Sequence, residues 1–420
     1  MNELKIALVH DWLTGMRGGE QVLLEFCRLF PSADIFTLIH VPGKLHPEIE
    51  KHRITTSFLQ KIPGIRSHYR KFLPLFPVAM ENFDLTGYDL VLSTSHCVAK
   101  GIITRPDALH VSYIHSPMRY IWDLHFTYFP AQKGNVLARA AYRFFANFLR
   151  MWDVASSSRV DFFVANSSFV ARRIRKFYHR ESAILNPPVN VDHFATTDEV
   201  ADYYVVFSSL VPYKRVDLAV DAFAELGLPL KVIGTGPELA NLQKRASANV
   251  EFLGWQSDAE VARLLSQAKA LVFPGLEDFG IIPVEANACG TPVIAFGRGG
   301  VQDSISPLDV EKQVEQPTGL FFYEQSVESL VQAIRSFEEN EIFFNDRPAI
   351  RRHTFRFQNS LFRQRFFDFL LFASKDDFND IYNNLKKLKV KVEKRRQSET
   401  ENGTMPTLGE AVNSPQVTQS

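Results

Sequence analysis

Two glutamates separated by seven residues, Glu277 and Glu285, could bind a polar ligand. Glu277 follows a short apolar run, Ala270–Pro274, that is typical of a buried strand, and Glu285 lies in a helical pattern. Open α/β sheets bind ligands at the carboxyl ends of their strands. Carboxylates at this edge accept hydrogen bonds from hydroxyl groups, which indicates a sugar-like ligand. A helix N-terminal acid and a solvated glutamate would explain either residue alone equally well.

Lys214 and Arg215 follow a second strand-like run, Tyr203–Ser208, and could neutralise a phosphate. Arginine binds phosphate through two parallel hydrogen bonds, whereas lysine acts as a compact positive charge. An ordinary basic turn at the surface explains Arg215 better than it explains Lys214. The pattern therefore favours Lys214 as the cation of an anionic site.

Gly18 and Gly19 lie in a glycine-rich turn between a predicted strand, Lys5–His10, and a helix predicted from Gly19 to Phe30. Glycines let the backbone approach a ligand closely, and a helix N-terminus attracts phosphate. An ordinary strand-to-helix turn could have the same composition. The turn matches neither the G-x-G-x-x-G fingerprint nor a phosphate-binding Walker loop, which argues against a nicotinamide-dependent dehydrogenase.

His115 ends a third strand-like run, His110–His115, and is followed closely by Pro117 and Arg119. At the carboxyl end of a strand, this histidine is well placed to face a cleft between domains. A lone histidine is more often structural, so the local pattern leaves both roles open.

The elements that position these residues alternate between short apolar runs and helical patterns, which predicts α/β domains with parallel sheets. Further predicted strands are Asp89–Ser93, Asp161–Ala165, Leu230–Gly234, Val250–Gly254 and Pro292–Phe296. Two adjacent prolines, Pro187 and Pro188, interrupt this alternation and predict an extended connector. We expect two doubly wound, Rossmann-like domains over residues 1–190 and 191–354. An aromatic helix over 355–372 and a charged, disordered tail over 373–420 should follow.

The composition excludes several classes of protein. The 47 Lys and Arg balance the 47 Asp and Glu, which argues against a dedicated nucleic-acid binder. Three scattered cysteines exclude a disulfide scaffold or a cysteine zinc site and suit a reducing cytosol. No apolar run approaches the ~20 residues of a membrane-spanning helix, and the N-terminal sequence lacks a signal-peptide layout. We expect a cytoplasmic protein that can lie on the inner face of the plasma membrane.

Taken together, the motifs resemble glycosyltransferase family 4, the retaining nucleotide-sugar enzymes of the GT-B fold. The resemblance covers residues 4–372, and its most specific part is the E-x7-E segment from Glu277 to Glu285 with Gly290-Thr291-Pro292. The sequences of three further segments are similar to those of bacterial O-antigen and exopolysaccharide mannosyltransferases. These segments are Ile114–Tyr120, Asn186–Val189 and Leu210–Arg215.

The resemblance implies a role for each matching residue. Gly18 and Gly19 would approach the donor diphosphate and the transferred sugar, and Lys214 would neutralise the diphosphate. Glu277 and His115 would contact the sugar. The remaining implied donor contacts are the backbone amides of Phe279, Gly280 and Ile281 to the sugar, Glu285 to the ribose, and Gly254 and Trp255 by the nucleobase. The final helix would cross back onto the first domain.

Ser209 departs from the family pattern, in which an arginine stands five residues before the lysine. Losing this donor-phosphate arginine removes part of the electrostatic stabilisation of the leaving group. Arg215 or Arg298 could compensate. Otherwise the chain would be a weak or inactive family member that acts as a glycan- or protein-binding module.

The resemblance therefore implies a retaining hexosyltransferase of cell-surface polysaccharide synthesis. We expect the donor to be a nucleotide sugar, GDP-mannose, and the acceptor to be a glycan or a lipid-linked sugar. No cofactor is expected beyond this substrate, and no metal ion, because no Asp-x-Asp-like site can be located in the sequence. No contact with nucleic acid is expected.

The charge balance conceals an uneven distribution along the chain. Residues 1–195 contain 23 Lys and Arg against 16 Asp and Glu, whereas the remainder contains 24 against 31. Residues 51–80 contain six basic residues and no acidic one, and residues 133–150 add four more basic residues among aromatic and aliphatic ones. Such segments suit an anionic membrane surface, although a solvated face over a core has the same composition.

Overall fold

The structure, a computed structural model, describes residues 4–128, 136–309 and 316–401. Side chains are described for these residues except 127, 128, 136–142 and 391–401. The chain forms two α/β domains, each built on one parallel sheet flanked by helices, followed by two C-terminal helices that return to the first domain. This architecture confirms the predicted α/β fold with two doubly wound domains and a returning helix.

Among the described residues, the sheet of the first domain has seven strands: β1 (Ile6–His10), β2 (Asp34–Thr37), β3 (Ile54–Thr56), β4 (Leu90–Ser95), β5 (Leu109–Ile114), β6 (Phe162–Ala165) and β7 (Ser182–Ile184). Their order is β3-β2-β1-β4-β5-β6-β7, and all neighbours are parallel. Every residue of β1 is buried, as expected for a parallel strand covered on both faces. The strand order reverses between β1 and β4, so a crevice opens at their carboxyl ends.

The helices of this domain connect and cover the sheet. They are α1 (Gly18–Leu29), α2 (Pro47–Glu50), α3 (Ile65–His68), α4 (Phe76–Glu81), α5 (His125–Tyr128), α6 (Val136–Ser157) and α7 (Ser168–Tyr178). The Ser167 hydroxyl caps α7 by accepting a hydrogen bond from the amide of Val170. This cap fixes the start of α7 at the carboxyl end of β6.

In the described part of the second domain, the sheet has six strands: β8 (Tyr204–Phe207), β9 (Leu230–Ile233), β10 (Val250–Gly254), β11 (Leu271–Phe273), β12 (Val293–Phe296) and β13 (Gly319–Phe322). Their order is β10-β9-β8-β11-β12-β13, again all parallel. The helices are α8 (Val216–Leu226), α9 (Leu239–Arg245), α10 (Asp258–Gln267), α11 (Ile281–Ala288), α12 (Val301–Ser304), α13 (Val327–Glu339) and α14 (Arg347–His353). The order reverses between β8 and β11, which creates the second crevice.

The C-terminal helices α15 (Asn359–Ala373) and α16 (Asn379–Glu401) pack on the first domain. Phe366 of α15 stacks on Phe26 of α1 with ring centroids 4.3 Å apart. Arg363 of the same helix pairs with the buried carboxylate of Glu25. These contacts attach the end of the chain to the domain in which it began.

Two predictions for this region need correction. The aromatic segment 355–372 is not one helix, because Gln358 is extended and forms a β-bridge with Val189 between a short 3-10 turn and α15. The prediction of a disordered tail from residue 373 is wrong for Asn379–Glu401, which is helical. Ile381 and Leu385 of α16 are buried in the first domain's core. Residues 402–420 of the predicted tail lie outside the described part of the chain.

Candidate active site

The two crevices face each other, and the first turns of α1 and α11 meet there. A Cβ atom added to Gly18 would lie 2.9 Å from Cδ1 of Ile281 in the other domain. Gly280, just before α11, adopts a φ of +86° that favours glycine. Two helix N-termini from different domains therefore border one cleft, an arrangement suited to a phosphate-bearing ligand.

His115 and Gly19 form the first-domain wall of this cleft. A Cβ added to Gly19 would lie 3.5 Å from Nε2 of His115 and 3.4 Å from Cε1 of His10. Within the described residues, Nε2 of His115 is buried without a hydrogen-bond partner. Burial, with the nearby rings of His96 and His10, lowers the pKa of His115 well below its usual value. His115 is therefore a neutral ring whose free nitrogen is available to a ligand.

Asp11, directly after β1, organises the same wall. Its buried carboxylate accepts hydrogen bonds from the four consecutive backbone amides of residues 96–99, at 2.7 to 2.9 Å. Its Oδ2 also lies 3.1 Å from Nδ1 of His96. Asp11 therefore fixes both the loop after β4 and the orientation of the His96 ring.

Glu20 is a buried carboxylate in the first turn of α1, and one oxygen lies 3.8 Å from Nε2 of His10. Burial alone would raise the pKa of Glu20, but the contact with His10 outweighs it and lowers the pKa. The opposite nitrogen of His10 contacts the hydroxyl of Thr94. The first-domain wall thus consists of polar side chains held by their own domain.

Lys214 and Glu277 form an ion pair at the second-domain wall. Both side chains are largely shielded from solvent, and both lie just beyond carboxyl ends of strands, β8 and β11 respectively. Arg215 turns away to pair with Asp217 on α8, with its Nε 3.1 Å from Oδ1. Ser209 and Arg298 are exposed. Of the predicted second-domain cations, the structure brings Lys214 to the Glu277 loop.

Asp278, next to Glu277, is held by two arginines that reach across from the first domain. Nη1 of Arg173 donates to Oδ1 of Asp278 at 2.7 Å, and Nη1 of Arg119 lies 3.4 Å from Oδ2. Arg119 also donates to the carbonyl of Leu276 at 3.2 Å. Burial would lower the pKa of Arg119, but Asp278 and the neighbouring acids raise it. These contacts fix the second-domain loop against the first domain.

Arg173 links this loop to the segment that carries His115. Its guanidinium donates to the hydroxyl of Ser116 at 2.8 Å and to the carboxylate of Asp123 at 2.6 Å, as well as to Asp278. The Arg173 side chain is almost fully buried. One arginine therefore aligns the two walls of the cleft.

Phe279, Gly280 and Glu285 surround the start of α11. Phe279 is buried in the second-domain core, while Gly280 precedes the helix. Glu285 is half-buried one turn further along, and burial, with a contribution from Asp258, raises its pKa to about 7. Its carboxyl group is therefore poised to ionise when it receives hydrogen bonds from a ligand.

Gly254 and Trp255 lie at the carboxyl end of β10, the edge strand two positions from β8. Trp255 is 76% exposed. The Gly254 backbone has a φ of +68° and turns the chain sharply there. The structure places this pair at the side of the second crevice, apart from the Lys214–Glu277 pair.

Sequence reasoning missed Asp11, Arg17, Asp278 and Arg173, and it gave Arg119 no contact with the second domain. Asp11 and Asp278 each follow a buried strand closely, which was a usable signal. Arg17 precedes α1 and is close enough to affect the ionisation of both His96 and Tyr213. Within the described residues, no three His, Cys, Asp or Glu side chains are grouped to hold a metal ion.

Comparisons with known proteins agree with this architecture. Residues 192–355 match the family described as Glycosyl transferases group 1. A D-inositol 3-phosphate glycosyltransferase of Mycolicibacterium paratuberculosis is 30% identical over 167 residues, which cover 34% of this chain and 38% of that protein. An uncharacterised glycosyltransferase of Methanocaldococcus jannaschii is 34% identical over 102 residues, which cover 23% and 29%. The alignments thus span less than half the length of these relatives.

Solved structures share the fold over nearly the whole chain. Anabaena HepE in complex with UDP and glucose has a TM-score of 0.63 at 16% identity, over 88% of this chain and 99% of that one. Sucrose-phosphate synthase from Thermosynechococcus elongatus has a TM-score of 0.61 at 18% identity, over 89% and 100%. Residues 192–355 therefore match the glycosyl transferases group 1 family, and the chain has the two-domain GT-B fold.

Proposed function

We propose that the protein is a retaining glycosyltransferase that transfers a hexose from a nucleotide sugar to a glycan or lipid-linked acceptor. The observation that carries this proposal is the close approach of Gly18 and Ile281, at two helix N-termini, within a cleft that also contains Lys214. A nucleoside diphosphate is the ligand whose charge suits such a site. The family match of residues 192–355 supports the same class of reaction.

The reaction breaks the bond between the anomeric carbon and the diphosphate oxygen, and the electron pair leaves with the nucleotide. Lys214 and the helix N-termini stabilise the charge that develops there. The acceptor oxygen then bonds to the same face of the sugar, and its proton passes to the departing phosphate oxygen. His115, neutral and with a free Nε2, contacts the sugar near the anomeric carbon. In this proposal, protein cations neutralise the diphosphate without a metal ion.

For the donor we propose GDP-mannose, and for the product a cell-surface polysaccharide made at the cytoplasmic face of the membrane. These assignments rest on the resemblance of Ile114–Tyr120 and Leu210–Arg215 to bacterial mannosyltransferases. The complex of Anabaena HepE with UDP and glucose supports a nucleotide-sugar donor as a class.

Ser209 is the reason to keep an alternative, a weak or inactive member that binds glycans or proteins. Arg119, which reaches the Glu277 loop from the first domain, favours activity because it adds a second cation to that side of the cleft. Replacing Ser209→Arg separates the two functions. We expect a modest change in an active enzyme, whereas a large gain of turnover would favour the alternative.

A thermal-shift screen of nucleotide sugars, followed by NMR of the product, tests the proposal. A true donor at 100 times its Kd stabilises the protein by about 2.7 kcal/mol. We expect GDP-mannose to raise the Tm more than UDP-glucose, and the product to keep the anomeric configuration of the donor. Absence of both stabilisation and transfer with every nucleotide sugar would contradict the proposal.

The acceptor side of the proposal includes contact with an anionic membrane. On α6, Phe144 and Met151 are 72% and 59% exposed, on one face with Phe148 and beside the exposed Arg143. Exposed apolar and basic groups on one helix are typical of an interfacial helix. Residues 133–135 of the segment predicted to contact the membrane lie outside the described residues.

The segment 51–80, like α6, exposes both basic and apolar side chains. Lys61, Arg66, Arg70 and Lys71 are exposed, as are three apolar side chains, Phe58, Leu75 and Val78. This segment lies beside α6, because Trp152 of α6 packs in one hydrophobic cluster with Phe76 and Met80, and its Nε1 donates to the adjoining Glu81 at 2.7 Å. Within the described part of the chain, no helix has the length and apolarity needed to cross a bilayer.

Sedimentation with lipid vesicles tests the membrane contact. We expect binding to vesicles of phosphatidylglycerol but not of phosphatidylcholine alone, with loss of binding in the double variant Phe144→Ser and Met151→Ser. The control is Ile342→Ser, an equally exposed apolar residue of the second domain. Equal binding by the double variant and the control would contradict this part of the proposal.

A further inference from the structure

We infer that His96, held by Asp11, binds a hydroxyl group of the polyhydroxylated acceptor, an inference that rests on the proposed transferase function. His96 lies in the loop after β4, on the first-domain wall of the cleft. Neither the resemblance nor the proposed mechanism gives this residue a role. The structure assigns His96 a role because its ring contacts Asp11, is partly exposed and lies beside His115.

Asp11 determines which nitrogen of His96 is available. The carboxylate lies 3.1 Å from Nδ1 and can only accept a hydrogen bond, which favours the neutral tautomer that carries its proton on Nδ1. Nε2, on the opposite side of the ring, is then a hydrogen-bond acceptor. The four backbone amides that Asp11 also binds keep the carboxylate, and with it the ring, in place. This arrangement resembles the way a carboxylate orients a functional imidazole in many sites.

The environment of His96 favours the neutral ring. Burial lowers its pKa, and the opposing effect of Asp11 is smaller. The other charged or titratable groups that face it are His10, Glu20 and Arg17, with His115 beside it. A neutral acceptor nitrogen suits a hydroxyl donor, whereas an imidazolium would suit an anion.

The position of His96 suits an acceptor better than a donor. Its side chain is 32% exposed, whereas the adjoining Asp11 carboxylate is fully buried. Its ring centroid lies 6.4 Å from that of His115 and 4.5 Å from that of Trp12, which packs edge-on against it. A hydroxyl bound at His96 would therefore lie next to the site proposed for the transferred sugar. The diphosphate-binding groups, in contrast, are those of α1, α11 and Lys214.

Two substitutions separate this role from a structural one. His96→Asn keeps an amide donor near Asp11 but removes the atom at the Nε2 position. His96→Gln can return a polar atom to that position and should partly restore function. The matched control is His68→Gln, because His68 is an exposed histidine of the same domain outside the cleft.

The assay compares two reactions of each variant, nucleotide release with water as the acceptor and transfer from GDP-mannose to octyl α-D-mannopyranoside. We expect His96→Asn to raise the KM for the mannoside at least tenfold, with hydrolysis within twofold of the unmodified protein. An unchanged KM would overturn the inference, as would an equal loss of hydrolysis and transfer, which would indicate a structural role.

A second measurement does not depend on turnover. In protein with 15N-labelled histidine, adding the mannoside in the presence of GDP should shift the Nε2 resonance that is lost in His96→Asn. Failure of the proposed donor chemistry would abolish transfer but leave this shift. A resonance that does not move at saturating mannoside, while transfer proceeds, would overturn the inference and leave the proposed function intact.

Discussion

The two walls of the cleft are held in different ways. On the first-domain wall, Asp11 receives its hydrogen bonds from the backbone of its own domain, and His10 contacts Thr94 on the neighbouring strand. On the second-domain wall, Asp278 receives its side-chain contacts from Arg119 and Arg173 of the other domain. The first wall is therefore built by one domain, whereas the second depends on the position of both.

This difference suits the two substrates of the proposed transferase. A wall that is fixed before binding can present a neutral group such as His96 to an acceptor at low cost in conformational entropy. A wall whose alignment depends on the neighbouring domain can open to admit a large nucleotide sugar and close around it. Catalytic geometry would then be complete only when the domains meet.

The largest effect on the second-domain wall is expected from Arg173→Ala, which removes the main contact between Asp278 and the first domain. This change leaves the largely shielded Asp278 carboxylate without its closest cation, and breaking such a buried pair costs about 3 kcal/mol or more. We expect a loss of that size in the free energy of unfolding, measured with urea, and low transfer activity.

The control for Arg173 is Arg175→Ala on the same helix. Arg175 pairs with Glu181, but both side chains are largely exposed, so little change in stability is expected. If both variants lost the same stability, the second wall would not depend on the interdomain contact.

Replacing Lys214→Met tests the charge of the second wall rather than its alignment. Removing one group that stabilises a developing negative charge costs about 100- to 1000-fold in kcat. We expect this loss of kcat in steady-state kinetics together with a fall in Tm in calorimetry, because the largely shielded Glu277 carboxylate loses its cation. Arg215→Ala should lose less than tenfold, because its guanidinium is held by Asp217.

Lys244→Met serves as the control for charge removal, because Lys244 is exposed on α9. Its kinetics should match those of the unmodified protein. Equal losses in Lys214→Met and Lys244→Met would mean that general charge, and not the cleft cation, supports turnover.

Much of the fold could be predicted because the central strands are continuous apolar runs. The central strands at Lys5–His10 and Tyr203–Ser208 were predicted within one residue at each end, and the edge strand Val250–Gly254 was predicted to the residue. The edge strand Ile54–Thr56 was missed because it has three half-buried residues and no apolar run. The helix Asn379–Glu401 was missed because its charged face masked Ile381 and Leu385.

Residues of the site could be predicted only where a residue type suited to ligand binding lies at the end of a predicted strand or in the turn after it. The structure brings to one cleft five predicted residues that end a predicted strand or lie in the segment after one: Gly18, Gly19, His115, Lys214 and Glu277. The residues that align the walls act over long sequence separations. Asp11 binds amides more than 80 residues away, and Arg173 binds an acid more than 100 residues away, which no local pattern reveals.

Glu285→Gln tests the raised pKa of the Glu285 carboxyl group in the second-domain wall. The folded carboxyl holds its proton up to a pH of about 7, whereas the unfolded one releases it near its ordinary value. The unmodified protein should therefore lose stability as the pH rises from 5 to 8, on the order of 2 kcal/mol more than the variant. Urea unfolding at both pH values measures this difference, and parallel curves would contradict it.

The same pKa predicts how nucleotide binding depends on pH. Ribose hydroxyls donate to the ionised carboxylate, so binding should release protons below about pH 7, tighten as the pH rises towards 7 and level off above it. Calorimetric titration with GDP in buffers of different ionisation enthalpy measures the released protons. A release that persists in Glu285→Gln would assign it to another group.

The smallest expected effect distinguishes the two edges of the second wall. Trp255 follows edge strand β10, and Tyr323, 60% exposed, follows the opposite edge strand β13. Base stacking on an aromatic ring contributes on the order of 1 kcal/mol, so Trp255→Ala should weaken GDP binding about fivefold. Tyr323→Ala should leave the Kd unchanged, and neither substitution should alter the Tm because both rings are exposed. Weaker binding in Tyr323→Ala alone would move the nucleobase to the β13 edge and reverse the orientation of the donor in the cleft.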